Sequence, residues 1–243
     1  MLCPPLPDRS QWRSEYINDD FYEKLKHYKS EIIKQIELHS HDYKNIAVSF
    51  SSHYQNLSRM EAIIYDLTPR AIECLMKEVI LDSFYIVDYI RKNSTGTIYD
   101  IGCGSNAFKY FFNDIIGIDA ANTMADIKCQ FDSEYIGNNK DKLSNAIAIN
   151  SLHYGQSFQK FKQVVENFGQ VISPGGYGYI TFNIFFMVQA TEKEKNNIPE
   201  DIHQFILDRL SETALHIIDV QFVDATVNGD NGLDGNIRIL FRK

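Results

Sequence analysis

From Pro69 to its last residue the chain alternates between segments whose apolar residues recur at helical spacing and short runs of strand type. That alternation predicts stacked βα units around a mostly parallel sheet, because each helix returns the chain across the sheet face to start the next strand. Thr68-Pro69 pairs an N-cap residue with proline at the first helical position, and Ile72, Leu75, Met76, Val79, Ile80, Phe84, Val87 and Ile90 lead to a helix end near Asn93. Strands are expected over 97–101, over 115–118 with Asp119 closing the run, more weakly over 125–129, over 145–149, and over YGYITF from Tyr177. Between them, Ser105 is placed to cap a brief helix AFKYFFN, and Ser157 to cap a helix with the stripe Phe158, Phe161, Val165, Phe168 and Ile172. Lys193-Glu194-Lys195 reads as an exposed loop, and 197–214 as a helix with Pro199 in its first turn. The closing strands, 216–227 and 237–241, are joined by so short a turn, NGDNGLDG, that they must be antiparallel.

Before Pro69 the pattern changes. Phe21, Tyr22, Leu25, Tyr28, Ile32, Ile33 and Ile36 recur at helical spacing, so residues 1–68 are expected to form a helical extension and 69–243 the α/β domain. The first residues, MLCPPLPDRS, hold no apolar run of secretory length, and no later run reaches membrane-spanning length, which predicts a soluble cytoplasmic protein. Cys3, Cys74, Cys103 and Cys129 have no CxxC or Cys/His spacing, and His39 and His41 lack a third ligand nearby, so no metal site is expected. With a net charge of −8 and no concentration of Lys and Arg, broad engagement of nucleic acid is disfavoured.

Chemistry concentrates at Asp100-Ile101-Gly102-Cys103-Gly104, where the first strand runs straight into a glycine turn. An open α/β sheet binds ligands beyond the carboxyl ends of its strands, and glycines let the backbone approach a bound molecule closely. Asp119, closing the next strand, can accept hydrogen bonds from both hydroxyls of a ribose, so the combination predicts an adenosine-containing cofactor. Residues 102–107 also satisfy the loose dinucleotide pattern GxGxxG/A, which keeps a nicotinamide-dependent oxidoreductase as an alternative. Against it, an aspartate two residues before the first glycine suits a cofactor bearing ammonium and sulfonium charges and no pyrophosphate, and no YxxxK pair follows the fourth strand.

Taken together, Asp100 to Gly104, Asp119, the strand end at 150–154, the SPGG turn at 173–176 and the closing antiparallel pair resemble the class I S-adenosylmethionine-dependent methyltransferase family over roughly residues 70–243. The resemblance implies a Rossmann-like, mostly parallel seven-stranded sheet with an antiparallel last strand, S-adenosylmethionine as cofactor, and methyl transfer as the activity. It implies that Asp100, Gly102, Cys103 and Gly104 meet the methionine and sugar part, that Asp119 holds the ribose, and that Asp126 and Ile127 frame the adenine. Asn150 and Ser151, with the residues after them, would face the reacting methyl. The family often has a third glycine where this chain has Asn106, and the stretch from Asp119 to Asn150 is short for it.

Transfer of a methyl from sulfonium needs alignment and exclusion of water above all, and a base only when the acceptor carries a proton. His153, at the end of the fourth strand and titrating near neutrality, is the candidate base, with simple packing beneath the donor as the competing role. NSLHY stands where NPPY or DPPY would signal amino-group methylation of a nucleobase, which favours a small-molecule acceptor. Tyr16, Tyr22, Tyr28, Tyr43 and Tyr54 of the extension are lid candidates, as the resemblance implies, with ordinary packing of amphipathic helices onto the sheet as the competing and favoured role for any one of them. A non-catalytic module that keeps the donor pocket is the remaining alternative.

Overall fold

The computed structural model describes residues 81–104, 106–120, 124–153, 155–224 and 235–243, with isolated positions among the first 30. The lid tyrosines, His39, His41, Ser105, Tyr154 and the turn of the closing strands lie outside them. Over the described residues the elements run α1 (Leu81–Asn93), β1 (Ile98–Ile101), α2 (Ala107–Phe111), β2 (Ile115–Asp119), β3 (Ile127–Lys128), α3 (Ser133–Asn138), β4 (Asn145–Ile149), a tight turn of helix (Phe158–Lys160), α4 (Phe161–Val171), β5 (Tyr177–Asn183), α5 (Ile184–Lys193), α6 (Ile202–Ser211), β6 (His216–Asp224) and β7 (Gly235–Arg242). The seven strands stand in the order β3-β2-β1-β4-β5-β7-β6. The chain divides into two compact units, Met1–Asn93 with Cys103–Gln130, and Ser94–Gly102 with Phe131–Lys243.

In the second unit β1, β4 and β5 are parallel, with Asp100 opposite Ile147 and Ile149 opposite Thr181. Their carboxyl ends therefore share one edge. β7 runs antiparallel to β5 and to β6, the second pairing as the short link between the closing strands requires. β4 is NAIAI, buried at its first four positions in succession, as expected of a parallel strand covered on both faces. The stripe foreseen on α4 is fully buried, and Phe161 and Phe168 meet Phe182 and Phe241 at ring-centroid distances of 5.1 and 5.9 Å.

Within the first unit, Phe84 of α1 sits 5.2, 4.9 and 5.2 Å from the rings of Phe108, Phe111 and Phe112. Arg91, in the last turn of α1, lies over Phe112 and bonds Asp114 at 2.8 Å. The short segment AFKYF thus forms a helix because its aromatic face has an apolar partner, which offsets the poor intrinsic stability of so short a helix.

Several local expectations are corrected. Asn106, in the left-handed region, occupies the N-cap position of α2 and makes no side-chain cap bond. Ser157 precedes the tight helical turn, but its hydroxyl donates to Glu194 Oε2 at 2.6 Å and caps nothing. Residues 184–193 form a helix directly after β5; Asn183 Oδ1 accepts from the Phe186 N–H, and only at 194 does the chain enter a turn. The apolar run IFFMV, beginning where a strand stops, hides this change of period. The next helix starts at Ile202, not near Pro199, because Asp201 accepts from the Gln204 N–H at 2.9 Å and fixes the first turn there.

Candidate functional site

The strand tips of the second unit are braced by short polar links. Asp100 lies on β1 and is buried to 2% exposure. Gly102 follows at φ 72°, and a Cβ there would come within 2.4 Å of Ser151 Cβ, so both conformation and space demand glycine. Ser151 donates its hydroxyl to the Ile101 carbonyl at 2.7 Å, tying the end of β4 to the end of β1. Asn150 adopts φ 48°, donates its N–H to Thr181 Oγ1 at 2.8 Å, and accepts from that hydroxyl at 2.9 Å through Oδ1. This exchange fastens β4 to β5.

His153 is wholly buried, and its ring stacks on Phe186 at 5.3 Å with an interplanar angle of 22°. Phe185, beside Phe186 in α5, is 45% exposed. α5, absent from the sequence reading, is what supplies both phenylalanines.

In the first unit, the rest of the glycine turn is fastened to β2. Cys103 donates its N–H to the Ile118 carbonyl at 3.1 Å, and Gly104 donates its N–H to Asp119 Oδ2 at 3.0 Å. Gly104 stands at φ 53°, and among the described residues a Cβ added there meets nothing within 4 Å, so its backbone borders open space there. Asn106 follows at φ 58° and ψ 40°. Its amide Nδ2 donates to the Met124 carbonyl at 2.9 Å and to Asp126 Oδ2 at 3.2 Å.

Asp126 is therefore an acceptor for several groups at once: Asn106, the Gly117 N–H at 2.8 Å, and the Lys109 ammonium on its other oxygen. Burial disfavours the charged form, yet the bonds from Lys109, Gly117 and Asn106 outweigh it and hold the carboxyl below its ordinary range. Ile127 beside it is 42% exposed, an apolar side chain standing in water at the start of β3. Neither the role of Asn106 nor that of Lys109 was foreseen. The signal was present in Gly117, a glycine in the middle of an apolar strand, since a Cβ there would lie 2.3 Å from Asn106 Oδ1.

The Cys103 thiol points to the Gly104 carbonyl at 3.7 Å and the Cys129 thiol to the Gln130 carbonyl at 3.6 Å. Among the described residues no group of three or more His, Cys, Asp or Glu is arranged to hold a metal, and no helix is long and apolar enough to cross a membrane.

No protein-family model matches the chain, and no curated protein matches it. Solved structures do. A geranyl diphosphate methyltransferase in complex with SAM aligns at 12% identity over 66% of this chain and 84% of its own, with a TM-score of 0.46. A SAM dependent methyltransferase from Archaeoglobus fulgidus aligns at 14% identity over 67% and 93%, with a TM-score of 0.42. A mutant of the 16S rRNA (adenine(1408)-N(1))-methyltransferase from Catenulisporales acidiphilia aligns at 12% over 64% and 88%, with a TM-score of 0.40. The fold class rests on this chain's own topology. A glycine turn after β1, parallel β1, β4 and β5, and β7 inserted antiparallel between β5 and β6 make the Rossmann-like sheet of the class I methyltransferase fold that the sequence resembles.

Proposed function

We propose that the chain binds S-adenosylmethionine and transfers its methyl group to a small-molecule acceptor. The observation that carries this reading is the hydrogen bond from the Gly104 N–H to Asp119 Oδ2, which joins the glycine turn to the acid closing β2. A carboxylate has about four acceptor positions, so Asp119 can accept from ribose hydroxyls while it holds the Gly104 N–H. The open space at Gly104 supports the fit, because a molecule held by Asp119 would pass over a backbone with no side chain in its way. An acid before the turn in sequence, Asp100, and an acid bonded to it, Asp119, favour a cationic cofactor over one whose pyrophosphate would bring further negative charge.

In this reading Asp100, Gly102, Cys103 and Gly104 bind the methionine and sugar part, Asp119 the ribose, and Asp126 with Ile127 the adenine end. Asn150 and Ser151 border the reacting methyl. When bound, the sulfonium supplies an electrophilic methyl carbon. The chain's residues have to orient the acceptor and exclude water, which the braced tips of β4 and β5 do by remaining rigid. His153 takes the proton from an acceptor that carries one.

Titration calorimetry with S-adenosylmethionine, S-adenosylhomocysteine, NAD and NADP tests the assignment. Binding of the first two alone is the expected result, and binding of a nicotinamide nucleotide alone would reject it. Incorporation of labelled methyl from S-adenosylmethionine into a small-molecule extract then separates an enzyme from a module that only binds.

A further inference from the structure

Asn106 lies where glycine is the usual solution. Its φ of 58° and ψ of 40° are left-handed, a region that asparagine tolerates better than most residues but that glycine enters without cost. A chain that needed only the turn would do at least as well with glycine at 106. What asparagine adds is a side chain, buried to 6% exposure, whose Nδ2 reaches the Met124 carbonyl and Asp126 Oδ2. The residues joined are those that follow the glycine turn and those that lead into β3.

A second observation points the same way. Gly117 of β2 has no Cβ, and the place of that Cβ is taken by Asn106 Oδ1, 2.3 Å from where it would stand. Gly117 also donates its N–H to Asp126 Oδ2 and accepts from the Asp126 N–H at 2.9 Å. Asn106, Gly117 and Asp126 are thus one interlocked set, and Lys109 of α2 closes it from the other carboxylate oxygen. Asn106 and Gly117 take Asp126 Oδ2 and Lys109 takes Oδ1, so of about four acceptor positions one is left for the exocyclic amino group of a base, beside the exposed Ile127 as an apolar surface for its ring.

We infer that Asn106 is a positioning residue for adenine recognition, acting through Asp126 to set the 124–127 segment against the glycine turn. The inference rests on the donor reading above. It concerns discrimination at the base and not the strength of binding as a whole: a displaced segment loses its register with the edge of the base, while the grip on ribose at Asp119 remains.

The test is equilibrium binding of S-adenosylhomocysteine and S-inosylhomocysteine, which differ at the exocyclic group of the base, to wild type, Asn106→Gly, Gly117→Ala and the double variant. Asn106→Gly keeps the left-handed turn, so the fold is retained and its melting temperature confirms it. The expected result is a wild-type preference for the adenine compound that falls about threefold to tenfold in Asn106→Gly, the worth of one buried polar link. Gly117→Ala should produce a similar fall, because its methyl displaces the Asn106 side chain, and the double variant should fall no further than either single one. Equal loss of affinity for both compounds, an unchanged preference, or additive losses in the double variant would overturn the inference while leaving the donor assignment standing. Failure of wild type to bind either compound would instead remove the donor assignment, and this inference with it.

Discussion

Gly104 and Asp119 are joined by a backbone-to-carboxylate hydrogen bond of 3.0 Å, so the turn after β1 and the acid that closes β2 are held in fixed relation by the protein itself. Asp119→Asn keeps an oxygen for the Gly104 N–H but removes the charge and half of the acceptor capacity. Affinity for S-adenosylmethionine is expected to fall by about 1.5–3 kcal/mol, the range for hydrogen bonds to a charged group, with little change in thermal stability. Calorimetry and a melting curve on the same sample check it, and unaltered affinity would count against ribose binding at this position.

The two glycines of the turn differ in what they exclude. Gly102→Ala combines left-handed strain with a Cβ 2.4 Å from Ser151 and is expected to cost about 3 kcal/mol. Gly104→Ala meets no neighbour within 4 Å among the described residues and should cost about 1–2 kcal/mol, from strain alone. Its methyl enters the open space assigned to the donor, so weakened binding in a nearly intact protein is expected. Urea unfolding of the two variants separates these effects.

Thr181 is 1% exposed, and its hydroxyl both accepts from and donates to Asn150. Thr181→Val preserves shape but leaves the Asn150 N–H without that partner, which should lower stability by about 1–3 kcal/mol. Thr181→Ser should restore most of it. Equal denaturation midpoints for wild type and Thr181→Val would show that the brace contributes nothing.

His153, fully buried on Phe186, requires variants that separate packing from proton transfer. His153→Ala should cost on the order of 2–4 kcal/mol from the cavity it leaves. His153→Phe retains an aromatic ring against Phe186 and removes titration. Once an acceptor is in hand, loss of turnover and of its pH dependence in His153→Phe is the expected result, and a full-rate enzyme with an unchanged pH profile would end the base assignment.

Asp126 connects the site to pH. Its carboxyl is held below the ordinary 3.8: burial works against the charge, and Lys109, Gly117 and Asn106 more than compensate. A carboxylate of lowered pKa contributes its stabilisation fully above the ordinary value and loses it as pH falls through the lowered one. The melting temperature of wild type should exceed that of Asp126→Asn by a constant margin above about pH 5, and the margin should shrink below about pH 4. A margin that stays constant down to pH of about 3 would show that the ionised form is not what stabilises the segment.

Sequence legibility followed the source of each signal. DIGCG and the acid at 119 were readable because glycine conformations and strand-ending acids are local demands, and β2 and β4 fell where period and β-branched content agree. α5 was not, since IFFMV is apolar at every position and only the pairing partner and the Asn183 cap decide whether such a run continues a strand or turns into a helix. Asn150 and Ser151 were legible as the end of the fourth strand, but not the partners of their side chains, Thr181 and the Ile101 carbonyl, 31 and 50 residues away.

The amino-acid order alone determined the alternation of elements, the antiparallel closing pair and the place where chain geometry admits only glycine, because each of these follows from neighbours within a few residues. Tertiary structure alone decided that Asn106 fills the space above Gly117, that Asp126 is occupied by Lys109, Gly117 and Asn106, and that His153 is buried on Phe186. Such relationships depend on which residues folding brings within hydrogen-bonding or van der Waals reach, and no local propensity encodes that distance.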